Sequence, residues 1–242
     1  MGSEMRTAAF QVVQKLQDEG YQAVFAGGCV RDQLLGLTPK DYDVATSATP
    51  HEVIQFFPNA VTVGAHFGVV LVKVQGSAIE IATFRTDGSY ADGRKPESVT
   101  FATIDEDASR RDFTINGLFY DPITDKLLDF VGGQKDLEVR TLRAIGNAQE
   151  RFAEDHLRLL RAVRFATRFE FEIAEETWEA LEAFAPDISR ISPERIRDEL
   201  DRIWVHPNRV LGFDLLVKSG LMLAIFPEIL KLQGCEQPPQ WH

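Results

Sequence analysis

The chain has 242 residues, 44% of them hydrophobic and 26% charged, and its 26 Lys and Arg against 37 Asp and Glu give a formal net charge of −11. This composition excludes a disordered chain and a collagen-like repeat, and two cysteines are too few for a disulfide framework or a zinc site. The sparse cysteines fit a reduced, cytoplasmic setting, and no stretch approaches the roughly 18 consecutive apolar residues of a membrane span, so we expect a cytoplasmic protein without a membrane partner. An acidic chain can still bind RNA, because binding depends on local charge.

The first part of the chain alternates predicted helices and strands. Its first elements are a helix over 5–19, a strand at 23–26, a helix over 30–35, a strand at 41–45 and a helix over 50–57 that begins with Thr49 and Pro50. Two Val- and Ile-rich strands at 67–74 and 78–84 form a predicted hairpin, and the charged stretch 85–98 is predicted to be a loop. A helix over 106–119 and a strand at 126–130 complete this part.

Helical periodicity dominates from about residue 142 onward. The predicted helices cover 149–165, 174–184, 193–205 and 210–219. This change of pattern predicts an α+β protein with two domains, a mixed domain of residues 1–145 and a helical region of residues 146–242.

The tripeptide Asp41-Tyr42-Asp43 lies on the predicted strand at 41–45. Residues two apart on a strand point to one face, so both carboxylates can project into the same cleft. Hard oxygen ligands of this kind suit Mg²⁺ and a phosphoryl transfer. Taken alone, such a pair more often marks a turn or a solvated strand face.

Two glycines, Gly27 and Gly28, stand between a predicted strand and a predicted helix, with Arg31 one turn later. Glycines there let backbone N–H groups approach a phosphate, and Arg31 can add a charged donor fork. The spacing fits neither the Walker A loop nor the GxGxxG pattern. A glycine loop followed by an Asp-x-Asp strand is typical of nucleotidyltransferases; the alternative is a turn without a ligand.

Four motifs follow one another along the chain. They are GGCVRD at 27–32 with DYD at 41–43, RRDFTINGL at 110–118, EDHLRLLRAVRF at 154–165 and ISPERIRDEL at 191–200. In order and spacing they resemble the motifs of the class II tRNA nucleotidyltransferase and poly(A) polymerase family. The resemblance implies a DNA polymerase β-like nucleotidyltransferase head, with a small mixed sheet and flanking helices, followed by a helical neck. Family members are usually longer, so we expect the neck to be truncated here.

The resemblance implies that Asp41 and Asp43 are catalytic and bind Mg²⁺, and that Glu80 is a third catalytic carboxylate. A charged residue on an edge strand is also a common protection against aggregation, and this is the alternative for Glu80.

The resemblance places nucleotide binding on the RRDFTINGL motif. Arg111 would contact the triphosphate, and Asp112 and Asn116 would hydrogen-bond the sugar hydroxyls from the same predicted helix. Helix capping and a surface ion pair are the alternative.

Asp155 and Arg158 lie three apart on a predicted helix and would share a face. An Asp acceptor beside an Arg donor complements the amino group and ring nitrogen of cytosine and adenine, whereas uracil and guanine present the opposite order. The pair could therefore select C and A without a template; the alternative is an ordinary helical ion pair. Arg161 and Arg164, with Arg168, continue the face as a basic stripe for triphosphate or RNA backbone.

Two features bear on which family member this is. The stretch 63–70 has no Lys or Arg, unlike the basic run of bacterial poly(A) polymerases, and the stretch 87–96 resembles the flexible loop needed for terminal A addition. The expected function is transfer of AMP or CMP from ATP or CTP to the 3′-hydroxyl of tRNA, with release of pyrophosphate. Poly(A) polymerase and a non-catalytic RNA- or nucleotide-binding module remain alternatives, and the sequence gives no oligomeric state.

Overall fold

The computed structural model describes residues 2–64, 68–88, 99–232 and 234–235. The chain divides into two compact units, the first ending at Gly146 and the second beginning at Asn147. The first unit is a mixed sheet with flanking helices and the second is helical, which confirms the predicted α+β fold class. We propose that these units are the two predicted domains. In the described part of the chain, no helix is both long and apolar enough to cross a membrane.

The first unit contains five helices and ten strands within the described residues. The helices are α1 Gly2–Asp18, α2 Gly28–Leu34, α3 Pro50–Phe56, α4 Ile104–Ser109 and α5 Gly133–Glu138, with a 3₁₀ helix at Thr114–Asn116. The strands are β1 Ala23–Ala26, β2 Asp43–Thr46, β3 Val61–Gly64, β4 Val69–Val74, β5 Ser77–Thr83, β6 Arg85–Asp87, β7 Val99–Phe101, β8 Leu118–Asp121, β9 Lys126–Asp129 and β10 Thr141–Leu142.

Seven strands form one sheet in the order β3-β4-β5-β2-β1-β8-β9. Strands β2 and β5 are parallel, and the other neighbours are antiparallel. All four residues of β1 are buried, as expected for a central strand covered on both faces. Since Ala26 at the end of β1 is paired with Asp43 at the start of β2, the turn after β1 lies beside the Asp-x-Asp motif.

The predicted helix over 106–119 is wrong. α4 ends at Ser109, and Phe113 is extended, with φ −126° and ψ 148°. Backbone hydrogen bonds explain the break, because Thr114 N–H donates to the Arg143 carbonyl and Ile145 N–H donates to the Asp112 carbonyl. These long-range partners replace the local ones that a helix would use.

Two other differences lie in the hairpin region. Residues 85–87, predicted as loop, form β6 and pair with β7, while 89–98 lie outside the described residues. β3 was missed because Val61–Gly64 is short and offers no alternating pattern. The strand predicted at 41–45 begins only at Asp43, so the expectation that Asp41 lies on the strand is also wrong.

The second unit contains seven helices within the described residues. They are α6 Ala148–Glu154, α7 Leu157–Phe169, α8 Glu175–Phe184, α9 Pro193–Trp204, α10 Arg209–Lys218, α11 Leu221–Ile225 and α12 Pro227–Leu230, with a short strand β11 at Glu172–Ile173 and a 3₁₀ helix at Ala185–Arg190. At Gly212 a Cβ would lie 2.5 Å from Ile203 Cγ2 and 2.8 Å from Thr167 Oγ1. The missing side chain therefore lets α10 approach both α7 and α9 closely.

The single helix predicted over 149–165 is wrong. The chain leaves the helix at Asp155, which has φ −144° and ψ 103°, and α7 begins two residues later. Asp155 Oδ1 accepts the Leu157 N–H at 3.0 Å. An Asp side chain that caps a following amide in this way competes with helix continuation, which explains the break.

Candidate active site and nucleotide-binding residues

The turn after β1 depends on Gly27. Its φ of +65° and ψ of −118° lie in a region that L side chains rarely adopt. A Cβ at this position would also lie 2.8 Å from Arg111 Nη1. At Gly28 a Cβ would meet only Arg31 Nη2 at 3.6 Å, which is ordinary contact. Gly27 is therefore the residue that permits both the turn and the close approach of Arg111.

Three carboxylates lie near the start of β2 and influence one another electrostatically. Asp43 is half-buried at the first residue of the strand, Asp41 is exposed just before it, and Glu80 is exposed on β5. The parallel register pairs Val44 with Ile81, which places Glu80 beside Asp43. Because β5 lies between β4 and β2, the edge-strand explanation for Glu80 does not apply.

The electrostatics of Asp43 reflect this grouping. Burial and the negative charges of Glu80 and Asp41 raise the pKa of Asp43 to about 7, and the nearby Arg111 guanidinium opposes the rise. The start of β2 therefore concentrates negative charge next to a cationic side chain. This is the combination expected where a cation and a polyphosphate bind together.

The carboxylates at the start of β2 fit a Mg²⁺ site that is completed by water and substrate. Within the described ranges, no group of three or more His, Cys, Asp and Glu side chains could hold a metal ion by itself. Mg²⁺ commonly uses one or two carboxylates and completes its shell with water and substrate phosphates. Burial, and after it the repulsion from Glu80 and Asp41, raises the pKa of Asp43, and a divalent cation would relieve that repulsion, so Asp41 and Asp43 suit such a shared site.

Arg111 is held in place from several sides. Its Nη2 and Nε donate to Asp107 Oδ2 at 2.9 and 3.2 Å, its Nη1 donates to the Asn116 carbonyl at 3.2 Å, and its guanidinium lies 4.7 Å from the ring centre of Phe119. Such fixation suits a residue that must present charge to a ligand without reorganising.

Asp107 was missed from the sequence. It is 1% exposed and pairs with both Arg110 and Arg111. Burial favours a raised pKa for Asp107, but the two arginines outweigh it and keep that pKa below its ordinary value. The available signal was its spacing, since an Asp three and four residues before two arginines can reach both.

Asp112 and Asn116 are brought together, although the helix expected to carry them both is absent. Asn116 Nδ2 donates to Asp112 Oδ1 at 2.9 Å, and the Phe113 N–H donates to the same oxygen at 2.8 Å. Arg31 lies against this pair and is 4% exposed, and its guanidinium bonds to Asp32 and Asn116. Arg31 is thus engaged inside the protein, and it does not present an open fork of donors at the glycine turn.

In the second unit, Asp155 and Arg158 do not form the helical ion pair that was one alternative. Asp155 Oδ2 accepts from Arg195 Nη2 at 3.2 Å, and Arg158 Nη1 donates to Glu154 Oε2 at 2.6 Å and to the Arg151 carbonyl at 2.8 Å. The expected shared face is also wrong, because Asp155 ends α6 and Arg158 belongs to the first turn of α7. Each side chain is instead oriented by its own partner, and the sequence did not predict Arg195, which lies in the fourth motif, as one of these partners.

The other arginines of the predicted stripe lie on α7. Arg161 lies over the Phe165 ring at 5.3 Å and Arg168 over the Phe169 ring at 4.7 Å. Arg164 Nε donates to the buried Glu199 carboxylate, which neutralises much of its charge. The stripe is therefore less basic than the sequence suggested.

Comparison with known families shows which protein family the chain belongs to. Residues 23–143, half of the chain, match the family described as "Poly A polymerase head domain". The chain belongs to the class II tRNA nucleotidyltransferase and poly(A) polymerase family. Residues 170–232 match a second family, described as "Probable RNA and SrmB- binding site of polymerase A". The resemblance inferred from four motifs is confirmed.

Among relatives of the family, the CCA-adding enzyme of Geobacillus thermodenitrificans is 44% identical over 214 residues, which are 88% of this chain and 53% of that enzyme. The Bacillus stearothermophilus CCA-adding enzyme in complex with CTP is similar in structure, with a TM-score of 0.82 and 39% identity over 89% of this chain and 52% of that one. The Thermotoga maritima CCA-adding enzyme complexed with tRNA-CCA has a TM-score of 0.77 and 26% identity over 98% and 54% of the two chains. The chain thus spans about half the length of these relatives.

Proposed function

We propose that this chain transfers AMP and CMP from ATP and CTP to the 3′-hydroxyl of tRNA without a template, as part of CCA-end synthesis or repair. The observation that carries the proposal is the group of Asp41, Asp43 and Glu80 at the start of β2, facing the Gly27 turn and Arg111. The CCA-adding enzymes that the chain resembles, one with CTP and one with tRNA-CCA, support the substrates.

In this reaction the tRNA 3′-hydroxyl would lose its proton to water and its oxygen would form a bond to the α-phosphorus, while the bond from the α-phosphorus to the oxygen shared with the β-phosphorus breaks and pyrophosphate leaves. Asp41 and Asp43 would hold Mg²⁺, and Glu80 would add a third carboxylate beside them. A bound Mg²⁺ would supply charge stabilisation on the phosphoryl oxygens and lower the pKa of the attacking hydroxyl.

The remaining residues of the first unit would bind the nucleotide. The backbone N–H groups of Gly27 and Gly28 would lie close to the phosphates, and Arg111, already fixed by Asp107, would bind the triphosphate. Asp112 and Asn116 would hydrogen-bond the sugar hydroxyls. These contacts would orient the α-phosphate for in-line attack, which is where most of the rate of phosphoryl transfer arises.

For the second unit we propose that Asp155 and Arg158 read the Watson–Crick edge of cytosine and adenine. Their partners Arg195 and Glu154 support this, because each holds one of the two side chains in a defined orientation. Arg161 and Arg164 would contribute to binding phosphate or RNA backbone, Arg164 less strongly because Glu199 is its partner.

The test is incorporation of labelled nucleotide into three tRNAs that end before CCA, after the first C and after CC, each offered CTP or ATP with Mg²⁺. An acceptor-stem minihelix tested in parallel distinguishes a defect in nucleotide transfer from a defect in binding the rest of the tRNA. We expect CTP to extend the first two RNAs and ATP to extend the third, and we expect no extension by the Asp43→Asn variant. Long A runs on any RNA would indicate a poly(A) polymerase instead, and binding without extension would indicate a non-catalytic module.

A further inference from the structure

His156 lies at the corner between α6 and α7, which carries the two proposed base-reading residues. It directly follows Asp155 and stands at the N-cap position of α7, two residues before Arg158. The Leu159 N–H donates to the His156 carbonyl at 3.1 Å, and the Arg158 N–H donates to the Asp155 carbonyl at 3.0 Å. The backbone of His156 is therefore part of the same hydrogen-bonded turn as Asp155 and Arg158.

The surroundings of the His156 imidazole suit its neutral form. The residue is 3% exposed, its ring packs edge-on against Phe184 with 6.0 Å between the ring centres, and neither ring nitrogen has a hydrogen-bond partner among the described residues. A buried polar group without a partner is uncommon, and a buried charge without one is far more costly. Burial accordingly lowers the pKa of His156 below its ordinary value of 6.5, so the ring is mostly neutral at pH 7 and above.

The carboxylate of Asp187 is within reach of a protonated His156 ring. Its Oδ2 lies 3.9 Å from His156 Nε2, which is too far for a hydrogen bond, and its Oδ1 pairs with Arg190 Nη2 at 3.0 Å. Asp187 and Arg190 belong to the 3₁₀ helix after α8, α8 itself contributes an uncharged ring, and α6 contributes Asp155. After burial, the Asp187 charge raises the pKa of His156, Arg190 lowers it and Asp155 raises it.

We infer that His156 is a positioning residue whose neutral ring keeps Asp155 and Arg158 in register, and that its protonation weakens the selection of bases. A charged imidazole would have to move about 1 Å toward Asp187, because hydrogen bonds between two charged groups are about 2.8 Å long. Since His156 shares a turn with Asp155, this movement displaces the Asp155 carboxylate relative to Arg158. Misplacement of about 1 Å is enough to impair paired polar recognition. The inference rests on the proposed function, because it requires Asp155 and Arg158 to read the base.

The same protonation has a defined effect on stability. As the pH falls below 6.5, the unfolded chain takes up a proton on His156 while the folded protein does not. The contribution of the neutral ring to the free energy of unfolding is therefore fully present above about pH 6.5 and is lost as the pH falls through the folded pKa. His156→Phe keeps an aromatic ring against Phe184 and should remove this part of the pH dependence.

The test measures the preference for CTP over UTP between pH 8 and pH 5, by calorimetric titration and by relative kcat/KM for transfer to a tRNA that lacks CCA. A ratio is used because the titration of Asp43 affects transfer from both nucleotides equally. We expect the wild-type preference to fall about tenfold toward pH 5, as for the loss of one charged contact, and His156→Phe to keep it. Asp187→Asn removes a charge that favours the protonated ring, so it should move the loss to lower pH.

A matched control is His206→Phe, which alters another histidine of the second unit, whose Nδ1 accepts the Asn208 N–H at 3.2 Å. It should leave the pH dependence of the preference as in wild type. Proton NMR of the imidazole rings gives the pH at which His156 titrates, and the loss of preference should follow the same curve. A CTP preference that persists to pH 5 in the wild type, or that falls equally in His156→Phe, would overturn the inference alone. If the wild type prefers neither nucleotide at pH 8, the proposed base reading fails and the inference fails with it.

Discussion

Replacing Asp43 with asparagine should stabilise the metal-free protein at pH 8 and abolish nucleotide transfer. In the folded protein the pKa of Asp43 is raised to about 7, against an ordinary value of 3.8. As the pH rises from about 4 to about 7, the unfolded chain loses this proton while the folded protein keeps it. The contribution of Asp43 to the free energy of unfolding therefore falls through that window and stays low above it.

The full pKa difference corresponds to about 4 kcal/mol. Asp41 and Glu80 are exposed and their repulsion is screened by solvent, so we expect the Asp43→Asn variant to gain about 2–3 kcal/mol at pH 8 and nothing at pH 4. Urea unfolding in EDTA at several pH values measures the difference from wild type. Asp41→Asn is the matched control, with equal loss of transfer and a smaller gain in stability. A difference for Asp43→Asn that does not change with pH would refute the electrostatic reasoning.

Three further predictions concern single positions. Gly27→Ala should lower the free energy of unfolding by about 2 kcal/mol and weaken ATP binding at least tenfold, because the residue has φ +65° and its Cβ would meet Arg111. The control is Gly20→Ala, where φ is +87° and a Cβ would meet nothing within 4 Å. It should lower the free energy of unfolding by about 1 kcal/mol and leave the ATP affinity measured by calorimetry unchanged. Asp107→Asn should lower the free energy of unfolding by about 3 kcal/mol and raise the KM for ATP, since Arg110 and Arg111 lose their buried ion-pair partner. An unchanged KM would show that Arg111 binds ATP without being held by Asp107. Asp155→Ala should reduce the preference for CTP and ATP over UTP and GTP about tenfold in kcat/KM, whereas a solely structural contact with Arg195 would lower stability and leave the preference intact.

Local chemistry made part of the fold predictable. The helix α3 begins where Thr49 and Pro50 predict, and the Thr49 side chain accepts the Glu52 N–H while the Glu52 carboxylate accepts the Thr49 N–H. The strand β1 follows from a buried apolar run. Local sequence signals set the ends of these elements, and the tertiary contacts of the folded protein agree with them.

The wrong secondary-structure predictions lie where residues distant in sequence determine the backbone conformation. The segment after α4 reads as helix, yet Thr114 bonds to the backbone of Arg143 and Gly133 packs so closely that a Cβ would lie 2.2 Å from the Thr114 carbonyl oxygen. No local pattern reveals those contacts.

In the candidate site, too, some features were predictable from sequence and others were not. Its residue types and order, including Asp41 and Asp43, follow from spacing and from the family resemblance. Which partner each side chain takes does not, as the engagement of Arg31 with Asp32 and Asn116 illustrates. Pairing of this kind depends on burial and on donor and acceptor geometry that only the folded chain provides.

We propose that the carboxylates at the start of β2 support template-independent completion of a tRNA 3′ end. The most direct measurement is sequencing of the 3′ ends of a tRNA lacking CCA after incubation with the protein, Mg²⁺, CTP and ATP. We expect ends completed as CCA, one pyrophosphate released per nucleotide added, and no extension with Asp43→Asn. Unextended ends with wild-type protein, or equal extension by Asp43→Asn, would contradict it.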